Sequence, residues 1–80
     1  MKLSVYSLKN ILFQGEASLL NCKTVMGEIT ILDNHETLIT VLSAGVVKVV
    51  EKGGKENFFE INSGFLEVKP GNEVRCIVEQ

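Results

Sequence analysis

With one histidine, one proline and two cysteines in 80 residues, the chain is poor in the side chains that build most metal and redox sites. His35 has no second imidazole to complete a zinc site. Cys22 and Cys76 lie far apart in sequence among apolar neighbours, with no Cys-x-x-Cys spacing. They read as reduced structural thiols, since cysteine is commonly buried as a small hydrophobe. Basic residues are also few: eight Lys and Arg against ten Asp and Glu give a net charge of -2 and a pI of 5.3. No Lys/Arg cluster or aromatic platform is present to grip phosphates and stack bases, so nucleic acid is excluded as an expected partner. No window approaches the roughly 20 apolar residues of a membrane-spanning helix, and Met1–Ser7 alternates like a strand instead of forming a signal-peptide core. A soluble, cytoplasmic protein is expected. Sustained helical periodicity, linkers, low-complexity tracts and repeats are all missing.

What is present is a globular composition, 45% apolar and 22% charged. A single domain of this length buries only about 60% of its unfolded surface, so its core is modest and a partner is expected to add stability. Short apolar runs alternate with turn signals. Leu3–Leu8 reads as a first strand ending at Lys9-Asn10. Ile11–Phe13 follows, then Gln14-Gly15 as a candidate bulge, and Glu16–Lys23 as a further strand. Glu28–Leu32 and Leu38–Leu42 flank the acidic segment Asp33–Thr37 with His35 at its tip. Val46–Val50 and Glu56–Ile61 enclose Lys52-Gly53-Gly54-Lys55, a hairpin signal. Phe65–Val68 and Val74–Val78 enclose Lys69-Pro70-Gly71-Asn72, with proline and glycine where a type II turn requires them. Turn signals every eight to twelve residues predict an all-β fold, a small antiparallel β-sandwich or barrel.

Chemistry is thinly represented. His35 among Asp33, Glu36 and Thr37 has neither a nucleophile elbow nor an oxyanion donor, so no catalytic residue is expected. The glycine-rich segments join strands and lack a phosphate-loop lysine; Glu28, Asp33 and Glu36 lack calcium-loop spacing. No cofactor and no metal are expected. Strand alternation does leave a misfit: with Val47, Val49, Phe59, Ile61, Leu66 and Val68 facing inward, Val46, Val50, Phe58 and Phe65 face outward. Contiguous exposed apolar side chains of this kind either mark an interaction surface or are covered by a sandwich corner or a long loop.

Several segments resemble one family, in order and over nearly the whole chain. Phe13-Gln14-Gly15 resembles its Phe-x-Gly, and Gly27-Glu28-Ile29-Thr30-Ile31-Leu32 its Gly-Glu-Leu-Gly-Ile-Tyr type segment. Asn34-His35 falls where it has Pro-Gly-His or Pro-Asn-His, followed by Leu38-Ile39-Thr40. Gly45 matches a strand-opening glycine, and Gly64-Phe65-Leu66-Glu67-Val68-Lys69-Pro70-Gly71-Asn72 is similar to Gly-Gly-Phe-Leu-Glu-Val-x-Pro-Gly-Asn. The family is the epsilon subunit of F-type ATP synthase, called delta in mitochondria, and the match is to its N-terminal β-sandwich domain. Two departures stand out. Asp33 and Glu36-Thr37 replace the prolines around the histidine turn, and the chain stops at Gln80 where the family continues into a two-helix hairpin.

The resemblance implies a sandwich of about ten short strands in the rotary central stalk, held against the gamma subunit and the loops of the membrane c-ring. The expected function is non-catalytic: coupling c-ring rotation to gamma during ion-driven ATP synthesis, in a short form without the inhibitory C-terminal helices. Ser7 and Thr40 resemble gamma-facing residues, and the outward Phe58 and Phe65 are assigned to the same interface. Glu28 and His35 resemble residues near the c-ring. No small-molecule substrate is expected, and the implied location is peripheral, on the cytoplasmic face of the bacterial inner membrane. The competing expectation is a free-standing β-sandwich that binds a peptide or sugar through the His35 loop.

Overall fold

The computed structural model describes residues 1–80 and contains eight strands in one sheet. They are β1 (Lys2–Tyr6), β2 (Ile11–Thr24), β3 (Gly27–Leu32), β4 (Leu38–Leu42), β5 (Gly45–Glu51), β6 (Glu56–Ile61), β7 (Ser63–Lys69) and β8 (Glu73–Glu79). The fold is all-β, as the turn spacing predicts. The strand count is lower than the implied ten, partly because Ile11–Thr24 runs unbroken for 14 residues. β1 ends at Tyr6, two residues short of the expected Leu8. There the Ser7 hydroxyl accepts hydrogen bonds from the amides of Lys9 and Asn10, at 3.3 and 3.2 Å, and turns the chain.

The long strand β2 folds the sheet into two layers. Its first half pairs with β1, whose other neighbours run β8, β7 and β4; its second half pairs with β3 on one side and β5 on the other, with β6 beyond. The change occurs where the β2–β5 register slips between Ala17 and Leu19, and a bulge of this kind bends a strand. At its far end Thr24 pairs with Leu42 of β4, so β2 touches both edges of the first layer. All pairings are antiparallel except β1 with β8.

The core lies between the layers. Leu3, Val5, Leu66, Val68, Val74, Cys76 and Val78 from the first meet Leu20, Cys22, Ile31, Val47, Val49 and Ile61 from the second, all of them buried. The inward assignments read from alternation hold for Val47, Val49, Ile61, Leu66 and Val68, and Phe59 packs partly buried against them. Both cysteines are free and buried.

Turns behave as their residues dictate. Lys52–Lys55 closes the β5–β6 hairpin, with the Glu51 amide donating to the Lys55 carbonyl at 2.8 Å. Gly71 adopts φ 84°, the value a type II turn after Pro70 requires and one that side chains disfavour. The Asp33–Thr37 segment departs from a simple hairpin. β3 pairs with β2 and β4 pairs with β7, so this segment carries the chain from one layer to the other. Asn62 does the same between β6 and β7.

Candidate functional site

Alternation along each strand decides which residues leave the core, and the ladder registers decide which of those become neighbours. On the outer face of the first layer, Val41 stands opposite Phe65, Phe65 opposite Ile77, Ile77 beside Tyr6, and Tyr6 opposite Ile11. One apolar row thus crosses five strands. With neighbouring strands about 4.8 Å apart, it is about 19 Å long. Phe65 is 57% exposed and Ile11 69%, so nothing in the chain covers the row. The adjacent row reads Ile39, Glu67, Arg75, Ser4 and Gln14, and Arg75 donates to Glu67 at 2.6 Å. The hydrogen bond to Glu67 raises the Arg75 pKa further above its ordinary value.

A cleft of about 590 Å³ opens beside the apolar row, lined by Ser7, Leu8, Val41, Phe65 and Ile77 among others. Leu8 is fully exposed at the tip of the Ser7 turn. The cleft floor is backbone. A Cβ on Gly64 would come within 2.5 Å of the Ile77 carbonyl oxygen, so this position requires glycine.

The structure brings some of the sequence-selected residues together and separates others. Ser7 and Phe65 both line the cleft. Thr40 lies two residues from Leu42 and Leu38 on β4, on the inward side, and is half-buried. Phe58 is 60% exposed, but it belongs to β6 in the second layer, where its ladder neighbour is Lys48. Phe58 and Phe65 therefore sit on different layers. Glu28 is the second residue of β3, on the outer face of the second layer, where Asn21 Nδ2 donates to it at 2.9 Å. His35 lies beyond the other end of β3, so the two are joined only along that edge strand.

Around His35 the chain is tied by polar contacts. The Met1 ammonium and Asn72 Nδ2 both donate to Asp33 Oδ1, the latter at 3.2 Å, and the Asn34 amide donates to Asn72 Oδ1 at 2.7 Å. The ammonium contact, then Asn72, lower the Asp33 pKa. Asn34 and Asn72 both take positive φ, near 60°, a region asparagine tolerates better than most side chains. His35 Nδ1 lies 2.8 Å from the Glu36 carbonyl oxygen. No three metal-ligating side chains converge here or elsewhere. The 590 Å³ cleft is at the opposite end of the strands from this loop.

Alternation alone could have flagged Tyr6, Ile11, Val41 and Ile77, since each is an apolar residue at an outward position. Their joining into one row depends on the order of strands in space, which the sequence does not state.

Comparisons with known proteins agree on the architecture. The family model described as ATP synthase, Delta/Epsilon chain, beta-sandwich domain matches residues 1–80. The fold is similar to a chain in the cryo-EM structure of the Euglena gracilis mitochondrial ATP synthase, OSCP/F1/c-ring, with TM-score 0.92 and 23% identity. It is also similar to a chain in the Tetrahymena thermophila mitochondrial ATP synthase central stalk/c-ring structure, with TM-score 0.84 and 17% identity. All of this chain is covered in both cases, but it spans only 51% and 63% of those chains. The chain belongs to the family of the ATP synthase delta/epsilon chain β-sandwich domain.

Proposed function

We propose that this domain is a non-catalytic coupling piece of the ATP synthase central stalk, turning with the gamma subunit and passing c-ring rotation to it. The observation that carries the reading is the uncovered row Val41, Phe65, Ile77, Tyr6 and Ile11, which family membership and the exposed-patch argument together give to a protein partner. Gamma is that partner in this reading, with Ser7 and Phe65 at the contact, Thr40 supporting β4 from beneath, and Phe58 at a margin on the second layer.

The ring contact runs along the edge strand β3. A surface following that edge would meet both Glu28, near the start of β3, and His35, beyond its end. An edge strand offers unpaired backbone groups that charged and polar neighbours protect from unwanted pairing. Asn21, Glu28 and Thr30 supply that polarity here, with Asn21 Nδ2 bonded to both of the others at 2.9 Å. The domain works peripherally, on the face of the coupling membrane that carries the catalytic head, which is the cytoplasmic face in a bacterium. Its role is mechanical, with no substrate, metal or cofactor of its own.

Co-expression with the gamma subunit of the same organism tests the reading. A stable one-to-one complex on size exclusion is expected at micromolar concentration. Two separate peaks would overturn it.

A further inference from the structure

A third row crosses the outer face of the first layer, on the far side of the Glu67–Arg75 row from the apolar band. Lys69 on β7 stands opposite Glu73 on β8, Glu73 beside Lys2 on β1, and Lys2 opposite Glu16 on β2. The charges therefore alternate in sign across four strands. None of the four is engaged in a salt bridge within the chain, whose ion pairs are Met1–Asp33, Lys48–Glu56 and Arg75–Glu67. Burial alternation along each strand places all four on the outside.

An alternating row with an even number of members is complementary to its own image. Consider a two-fold axis along the strands, midway between β1 and β8. It sets β8 over β1 of a second copy and β7 over β2. Lys2 then meets Glu73 of the second copy, and Lys69 meets Glu16. The same operation sets Ile77 against Tyr6 and Phe65 against Ile11 in the apolar row. It sets Arg75 against Ser4 and Glu67 against Gln14 in the row between. No like charges oppose one another in any of the three rows. The strands of the two sheets run roughly along one direction, as in aligned sheet packing, where twist leaves an angle of about 30°.

From this match we infer that the free chain forms a face-to-face homodimer through the outer surface of β1, β2, β7 and β8. The apolar row forms its centre and the alternating row its charged rim, the usual division of an interface. Four strands spaced about 4.8 Å apart and roughly 20 Å long give a face of about 400 Å² per copy, well below the roughly 800 Å² per partner of a standard interface. The dimer is accordingly weak and forms only at high protein concentration. The inference does not rest on the stalk reading, although a gamma subunit on this face would exclude the second copy.

Sedimentation equilibrium of the 80-residue chain, from micromolar to millimolar concentration, tests it with Glu16→Lys, Lys69→Glu and the double variant. Each single reversal sets like charges together across the axis and is expected to raise the dimer dissociation constant about tenfold. The double variant is expected to return it close to the original. Residues 16 and 69 lie on strands about 14 Å apart within one chain, with two strands between them, so rescue cannot come from their own pairing inside the monomer. Within the monomer, Glu16→Lys puts a second positive charge beside Lys2, and Lys69→Glu puts a second negative charge beside Glu73. A purely structural role therefore predicts that the double variant is worse than either single change. Circular dichroism melts confirm that the three variants are folded. A wild-type chain that stays monomeric at millimolar concentration overturns the inference, as does a double variant no better than the singles. A dimer that persists unchanged in Phe65→Asp also overturns it, by placing the contact on another face.

Discussion

Val41 and Phe65 stand directly opposite one another on β4 and β7, and both are exposed, at 43% and 57%. Pairs of aromatic and β-branched side chains across a ladder stabilise a sheet even in water. Burying this pair and its neighbours under a partner removes far more apolar area than the ladder itself does, and that difference is what a docking face requires. A buried charge in the middle of such a face is left without a partner.

Phe65→Asp is therefore expected to weaken gamma binding at least about tenfold, or more than 1.4 kcal/mol, while the isolated domain stays folded and loses only the roughly 0.2–1 kcal/mol of the cross-strand pair. Phe58→Asp is the comparison, because Phe58 lies on the other layer beside Lys48. A loss near threefold or less is expected there. Isothermal titration of both variants against gamma measures the difference. Equal losses would put both layers in the contact, and unfolding of either variant would place that residue in the core.

Much of this is legible in the sequence, and what is not has a common cause. Alternation identifies the inward and outward sides of β5, β6 and β7, because each of those strands has one buried face and the side-chain period is two. Pro70-Gly71 and Gly53-Gly54 mark their turns because glycine chemistry is local. The Asp33–Thr37 segment looks like another such turn, yet it crosses between layers. Its anchors, Met1 and Asn72, lie more than 30 residues away in sequence. The joining of Ile11–Phe13 to Glu16–Thr24 is hidden for a similar reason, since Gly15 sits opposite Leu3 in an extended ladder and interrupts nothing. The rows on the first layer need strand order, which is a property of the whole fold.

Gly64→Ala probes the floor of the cleft. The new methyl would sit 2.5 Å from the Ile77 carbonyl oxygen and 3.2 Å from the Val78 Cα, so β7 and β8 must separate. Overpacking of this kind is expected to destabilise by about 1–3 kcal/mol. Each kcal/mol lowers Tm by roughly 4–8 °C in a domain of this size. Thermal melts measure it; an unchanged Tm would mean that the two strands are less tightly joined than the ladder indicates.

The buried thiols give a test at high pH. Burial pushes Cys22 up to about 11 and Cys76 up to about 12, from an ordinary 9.0. Each folded pKa is raised, so the unfolded chain releases its thiol protons first. Stability present below pH 9 is then lost progressively up to pH 11–12. In the native protein at pH 8 both thiols are expected to resist alkylation, reacting only at the rate of global opening. Fast labelling at either position would contradict its burial.

Asp33 gives the opposite sign. The Met1 ammonium, followed by Asn72, lowers its pKa from 3.8. The native contacts therefore add stability at neutral pH that is lost as pH falls below about 4 and through the depressed folded value. Because Asp33 is exposed, the effect is expected mainly in the loop, and hydrogen exchange at Asn34–Thr37 measures it better than global melting does. Asp33→Asn should raise exchange there at pH 7 and flatten its acid dependence. Unchanged exchange in the variant would show that the crossing segment is held by its backbone alone.

His35 tests the mechanical role itself. The ring is half-buried in the crossing segment, its Nδ1 near the Glu36 carbonyl oxygen, with no group of three metal-ligating side chains around it. A residue so placed has shape and a hydrogen-bonding edge to give a partner. In the assembled synthase, His35→Ala is expected to lower ion-driven ATP synthesis several-fold while ATP hydrolysis by the detached catalytic head continues at its original rate. Loss in the first assay alone means that the ring's rotation is transmitted less faithfully, since the chemistry of the head is unchanged. If head hydrolysis falls by the same factor, the histidine acts on catalysis and the domain is more than a coupling piece. Glu28→Ala, at the other end of β3, separates a contact along the whole edge from one at the loop only: the edge reading requires that it too reduce synthesis, and a neutral Glu28→Ala confines the ring contact to the His35 end.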